Sequence, residues 1–598
     1  MILKQLSFNS TAQKKQFNIN GFLGADFTSN PENADFRRSP DCPNMIRDTP
    51  GKNKKRLGYL LTHTFSEEIN GIHIFQKDEN EKFLVHAGTS LYLKGTDGEY
   101  TQIYSKMNNK RSCSAVLSGR LIILDGATML SYDGETVTDI KDSAYVPTVV
   151  IGRAPSGGGT LYEPINMISN YRIEKFTGDG KSTRYYVSGG DFNTVHYIKE
   201  RKSGEWVYLK LSIDYDFDET KGLIKFNTAP PAPTDGEDNI LICYMKYNLD
   251  YRKIIYSCNI CTLYGINGAL DRIFVTGCPD YPNRDYYCQM EDPTYWGDTW
   301  YSNLGRSDTP IIGYSLAANC LAAHKAGEES NANVILRTGI IKDNEPSFPI
   351  TGTYWASGAV ASDTFDTLDN EPVYLSSDGI CAITPSDVLG ERSSQVRSFY
   401  LNGRLLKEEN LKNASAVSYK GFYMLLINGK MYILDGLQSI TSASAPFSHR
   451  QYEGYFWDDI PGKFLFTDQK YLYFAAEGGK LYRFYTDEEN IYTDAGEPYT
   501  AYWETMLFTG GDFARYKTIT GIDISVSEQA STLLAEYQDA DGNWVIAAQG
   551  DENDKKLLCR KIHIKDCPYV KFRIKNSSGN SLKINKIQIS YISGRNIR

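Results

Sequence analysis

No stretch of the 598 residues approaches the 18 or more apolar residues that a membrane-spanning helix needs. The opening residues Met1 to Asn20 intersperse Lys, Asn and Gln with short apolar pieces, where a leader would run from positive to apolar. The expectation is a soluble chain with no secretion address and no membrane span. Cysteine is dilute: eleven in a chain this long cannot form a disulfide scaffold, and their odd number points to a reducing site of synthesis. Positive charge is not in excess either. A formal net charge of −9 excludes a surface that grips phosphates over a large area, although it suits one past which DNA slides without sticking. Helical periodicity is nearly absent, the best stretch being Arg404 to Ala416, where Leu405, Leu406, Leu411 and Ala414 line part of a short helix.

Aromatic residues are abundant, at 13% with 43 Tyr, and flat rings favour pleated surfaces. One aromatic phrase returns along the chain, each time set against a Gly or Asp-Gly turn. It occurs at Phe83 to Leu93, Leu121 to Gly126, Val373 to Ile380, Tyr423 to Gly436, and Tyr471 to Phe474 followed by Gly478 to Tyr482. The fuller copies read as strand, turn and strand, because Asn-Gly and Asp-Gly tolerate positive φ. Repeated hairpins of this kind build blades, and a ring of blades buries faces that one blade leaves open.

The fold class is therefore all-β: a β-propeller with an inserted β-sandwich and a C-terminal β-sandwich. The expected organisation is an irregular N-terminal segment at 1–60, first propeller blades at 61–155, the inserted sandwich at 160–250, remaining blades at 251–490 and the C-terminal sandwich at 500–598. The insertion is read from about six short strands between turn signals, including Glu205-Trp206-Val207-Tyr208-Leu209 and Gly222 to Phe226.

A search for chemistry assigns no site. The histidines at 63, 73, 86, 196, 324, 449 and 563 form no i, i+4 pair and no zinc-type spacing with Cys. Cys258-x-x-Cys261 has metal-like spacing without a second such pair, and Cys278 and Cys288 complete a four-thiolate set only by an unusual spacing. Asp539-x-Asp541-x-Asn543 opens like a calcium loop, but Gly550 occupies the twelfth position where a bidentate Glu belongs. Gly157-Gly158-Gly159 and Gly178-x-Gly180 lack the spacing of a phosphate loop. Gln538 to Trp544 resembles the turn of a sialidase-type Asp box without its Ser and Thr. A propeller glycosidase would use two carboxylates, and 73 acidic residues single out none. No catalytic, cofactor-binding or metal-ligating residue is assigned, no cofactor is expected, and the channel-lining or gating residues are unknown.

Three segments carry a resemblance: Gly24-Ala25-Asp26, Arg37 to Met45 and Lys54-Lys55-Arg56-Leu57-Gly58-Tyr59. Together they resemble the opening of phage tail nozzle and tail hub proteins of the packaged-DNA stabilisation type, with Leu57 where a Pro often stands. Phe176 to Tyr186, Asp271 to Gly277, Asp292 to Trp296 and Glu371 to Gly379 are similar to the inserted sandwich and propeller strands of tail proteins from tailed phages and Gram-positive prophages. The resemblance implies a non-enzymatic subunit in the virion tail, made in the bacterial host cytoplasm. It further implies a homo-oligomer, a hexameric ring, that retains the packaged genome and conducts it at ejection. Its partners would be other tail proteins (adaptor, fibre or spike) and genome DNA passing without sequence-specific binding. In this frame the basic cluster Lys52 to Arg56 is a solvated turn or a contact to an acidic neighbour, and the aromatic loop Glu291 to Tyr301 is either a subunit contact or a cap on one blade. The alternatives are a peripheral receptor- or glycan-binding tail protein, a propeller glycosidase, and a ring-forming adaptor nearer the portal.

Overall fold

The recurring aromatic phrases fold as antiparallel meanders. In the computed structural model, which describes residues 13–77, 80–247, 249–327, 332–385, 392–440, 450–528 and 530–597, two compact units emerge. One comprises Ile69–Gly327 and Ala332–Thr353, the other Met1–Glu68 and Tyr354–Arg598.

The first unit holds four four-stranded meanders, which begin at strands Ile69–Lys77, Cys113–Leu117, Ile260–Leu263 and Ile311–Ala317. These first strands lie beside one another in chain order, as the inner strands of propeller blades do. The turns explain the hairpins: Ser118 and Gly119 both take positive φ, 50° and 70°, which matches the right-handed twist of the strands they join. Strands Arg120–Leu124 and Met129–Tyr132 read as continuous apolar runs because neighbours bury both their faces. Between the second and third meanders the chain forms the inserted sandwich.

The second unit contains three meanders, beginning at Asp366–Leu368, Ser415–Tyr419 and Gly462–Thr467. The last takes its fourth strand, Tyr59–Thr64, from the start of the chain, where Leu60 pairs with Arg483 and Tyr59 with Phe484. A sandwich completes the unit. One of its sheets orders Met45–Arg47, Asn53–Lys55, Lys583–Asn596, Arg515–Val526 and Leu557–Cys567, and Lys14–Asn20 also pairs with Lys583–Asn596. The other orders Ala501–Glu504, Phe572–Asn576, Leu534–Gln538 and Trp544–Gln549. Trp503, Phe572, Ile574, Ile522, Ile524, Ile587 and Ile589 fill the space between them. The chain is an all-β propeller with two sandwiches.

The structure differs from the expected organisation at the N-terminus. Within 1–60, expected to be irregular, the described residues supply strands to the C-terminal sandwich, and Tyr59–Thr64, expected mainly among the first blades, closes the last meander. The inserted sandwich begins earlier than residue 160, at Thr148–Arg153. The helix expected over Arg404 to Ala416 is instead Phe399–Leu405, followed by a short 3-10 turn at Leu411–Asn413.

Nor is the basic cluster a solvated turn. Arg56 is fully buried, its two Nη atoms held by Asp494 at 2.8 and 2.5 Å, its Nε by Asn44 Oδ1 at 2.8 Å, and its plane stacked 3.9 Å from the centre of the Tyr499 ring. Lys55 donates to the carbonyls of Tyr499 and Ser578, and burial pushes its ammonium down to about 8. Only a planar fork satisfies both Asp494 oxygens and the stacking at once. Arg56→Lys is therefore expected to lower the stability of the second unit by roughly 2 kcal/mol. Urea denaturation checks this, and an unchanged midpoint would show that the fork is dispensable.

Candidate functional site

The inserted sandwich packs a six-stranded sheet on a three-stranded one. The larger sheet orders Thr160–Leu161, Thr148–Arg153, Tyr171–Phe176, Ile240–Met245, Thr194–Lys202 and Glu205–Tyr208. The smaller orders Arg184–Tyr186, Leu223–Phe226 and Tyr215–Asp218. Alternation sorts the faces: Phe176, Ile198, Ile240, Ile242 and Tyr244 turn inward with Tyr185 and Phe226 from the smaller sheet. Glu174 is also buried there; it accepts from Ser188 N–H, Ser188 Oγ and Tyr244 Oη, the last at 2.7 Å, and its charge is answered by Arg153 at 3.4 Å.

The outward face of the larger sheet carries the polar and aromatic residues left over. Strand register puts Lys175 opposite Leu241, Leu241 opposite Lys199, and Lys199 opposite Tyr208. One step along, Arg201 stands opposite Trp206. Directly paired residues share a face, so Lys175, Lys199, Arg201, Trp206 and Tyr208 all project outward. Trp206 and Tyr208 are 37% and 61% exposed on the edge strand, beyond which no further strand pairs among the described residues. Tyr208 meets Tyr197 edge-on at 5.6 Å, and His196 and Tyr171 continue the aromatic band. Beneath Tyr197, burial pushes the Cys243 thiol up to about 12, so it stays protonated and inert.

A groove of about 710 Å³ opens on this face, lined by Ile151, Thr160, Tyr162, Lys175, Arg201, Trp206, Glu237 and Asp238 among others. Its acidic wall is rigidly tied. Asp238 accepts from Gly152 N–H at 2.9 Å and from Thr177 Oγ1 at 3.0 Å, and Glu237 accepts from Arg201 at 2.8 Å. Exposed rings beside hydroxyl, ammonium and carboxylate groups can stack on the C–H face of a sugar while bonding its hydroxyls.

Apart from His196, which stands in this aromatic band, most residues singled out from sequence lie elsewhere. Cys258, Cys278 and Cys288 are buried in one apolar cluster with Ile273, Val275 and Trp296, and Cys261 packs against its edge. Burial pushes Cys258 well up and Cys288 to about 12, which keeps these thiols neutral. Among the described residues no group of three or more His, Cys, Asp or Glu is disposed to hold a metal ion. Asp539 uses Oδ1 to accept from the N–H groups of Asp541 and Asn543, and so organises a hairpin turn. Gly157 bridges Ala154 to close a turn over Pro155 and Ser156, and Gly158 and Gly159 follow it with positive φ. His73 and His86 share Ser112 within the first unit, His324 bonds Ser315 at 2.7 Å, and His449 lies outside the described residues.

The aromatic loop Glu291 to Tyr301 turns inward, so the subunit-contact reading is corrected. Trp296 is fully buried, with Nε1 donating to the Pro293 carbonyl, and Trp300 packs between Tyr287 and Tyr295. Sequence reasoning passed over Trp206 and Tyr208. The signal was present: two large rings two apart on a short strand just after the Lys202-Ser203-Gly204 turn.

No family model matches the chain, and no curated protein matches it. Solved structures do. Virginiamycin B lyase from Staphylococcus aureus is 13% identical, with 72% of this chain and 98% of that one covered at a TM-score of 0.34. The Pan2 WD40 domain from Neurospora crassa is 9% identical, covering 74% and 97% at 0.31. A gluconolactonase from Xanthomonas campestris is 10% identical, covering 78% and 99% at 0.28. These are likenesses of fold alone, and the activities named are those of the proteins that bear them. They nonetheless correct the expectation that this chain is not an enzyme, since a lyase and a lactonase are among the folds it is similar to.

Proposed function

We propose that this chain is a glycan-binding component of a phage tail and that the outward face of its inserted sandwich is the recognition surface. One observation carries the reading: Trp206 and Tyr162 stand exposed in the lining of a polar groove instead of packing in a core, and Tyr208 stands exposed on the same face of the sheet. Exposed aromatic side chains grouped with fixed polar partners offer contact area at low entropy cost, as binding surfaces require. The placement in a tail rests on the resemblance of sequence phrases, as does assembly into a ring. Glycan binding takes precedence over DNA retention because the groove supplies the chemistry for the first.

The test is calorimetric titration of the intact chain with neutral and acidic oligosaccharides, followed by the same titration of Trp206→Ala. Binding is expected, and the substitution should weaken it about thirtyfold, as loss of a central aromatic anchor does. Absence of binding to every saccharide, or full binding by Trp206→Ala, would remove the groove from consideration.

A further inference from the structure

We propose that the groove selects saccharides bearing an anionic group, a carboxylate or a phosphate, and that Lys175 reads it. The inference rests on the glycan reading and names the ligand class within it.

The cations of this face are not equivalent. Arg201 is held by Glu237 at 2.8 Å and Asp235 at 3.3 Å, so its charge is already answered. The Lys199 ammonium lies over the Tyr208 and Tyr197 rings, 4.4 and 5.2 Å from their centres, and the rings' negative faces hold it. The Lys175 ammonium has no hydrogen-bond or ion-pair partner among the described residues, although it lines the groove and is only half exposed. Lys175 and Lys199 flank Leu241 on one row of the sheet, and two strand spacings put them about 10 Å apart. Lys175 therefore acts alone.

Two carboxylates share the groove and oppose an anion. Both are occupied: Glu237 by Arg201, and Asp238 by Gly152 N–H and Thr177 Oγ1. Arg201 answers the charge of Glu237, and Asp238 keeps its charge but has its oxygens held by neutral donors of the wall, whereas the Lys175 ammonium has no such bond. A half-buried ammonium facing a groove gains a charge-assisted hydrogen bond when a ligand brings the counter-charge. A neutral sugar stacks on Trp206 but leaves that bond unmade.

The experiment uses matched pairs on the intact chain at low salt: oligogalacturonate against neutral galacto-oligosaccharide, and glucose 6-phosphate against glucose. The anionic member of at least one pair is expected to bind about tenfold tighter, with the advantage shrinking as salt is added. The pair that shows it tells carboxylate from phosphate. Lys175→Gln should bring the anionic member down to the affinity of the neutral one, Lys175→Arg should keep the preference, and Lys210→Gln, at an exposed site outside the groove, should leave it intact. Equal binding within both pairs would overturn the role of Lys175 and leave the glycan reading standing. No binding of any saccharide would overturn both. Tighter binding of oligothymidylate than of any saccharide, or concentration-dependent self-association that Trp206→Ala abolishes, would assign the face to nucleic acid or to a second copy and overturn the proposal.

Discussion

Acidification from about pH 7 to about pH 5 is expected to destabilise the first unit by roughly 2 kcal/mol for each of three buried histidines. His73 lies against Ser112 at 3.0 Å and Ser114 at 2.9 Å, and His86 against Ser112 at 2.9 Å and the Gly88 carbonyl at 2.9 Å. Burial pushes His73 down to about 3, with help from His86 and Arg111, and pushes His86 down to about 4 against the pull of Asp125. His324, fully buried beside Ser315, is pushed to about 3. All three are neutral when folded, and the unfolded chain binds the extra protons below about pH 6.5. Their contribution is complete above that pH and falls away as the pH drops toward 4 and 3. Urea midpoints measured against pH give the slope directly, and His324→Gln should reduce it by about one third, since one of three groups is removed. A stability that stays flat over this range would mean that the histidines protonate without unfolding.

The second large effect concerns Arg337. Its guanidinium is fully buried against the equally buried Asp285, which also accepts from Tyr314 Oη at 3.2 Å. Burial raises the Asp285 carboxyl even with Arg337 and Tyr314 against it, a sign of how dry the site is. Arg337→Leu strands that carboxylate and should cost about 3–5 kcal/mol, while adding Asp285→Leu should recover most of the loss. If the double variant were no better than the single one, packing by the Arg337 stem and not its charge would explain the cost. The arrangement recurs in the second unit, where Arg397 grips Glu371 at 2.8 and 3.1 Å and Tyr452 donates to the same carboxylate at 3.0 Å. In both, an acid from one meander is shared with a tyrosine from the next.

The hairpins were legible because their signal is local. Asn428 and Gly429 adopt φ of 49° and 76°, the positive values that Asn and Gly tolerate best, and the apolar runs on either side pair as the pattern implies. Pairing between distant segments was not legible. Thr62 bonds the Leu481 carbonyl across 419 residues, and nothing within Tyr59–Thr64 names its partner. The aromatic loop misled because Trp296 and its neighbours have the composition of an interface and of a core alike, and only the surrounding meanders decide which. The groove was half legible. Glu205–Tyr208 reads as a strand, yet all four of its residues are exposed, so the alternation that tells an inner face from an outer one is missing there.

The sharing of the last meander and the C-terminal sandwich between the two ends of the chain has a consequence for biosynthesis. Lys14–Asn20 pairs with Lys583–Asn596, and Tyr59–Thr64 with Lys480–Phe484. On the ribosome the earliest strands emerge on the order of a minute before their partners are translated. Residues Ile69–Thr353 have all their sheet partners within reach long before that, so the middle of the chain matures while its leading segment waits with unsatisfied backbone groups. The lysines of that nascent segment, Lys14 and Lys15, are of the kind that discourages an unpaired strand from pairing with another copy of itself.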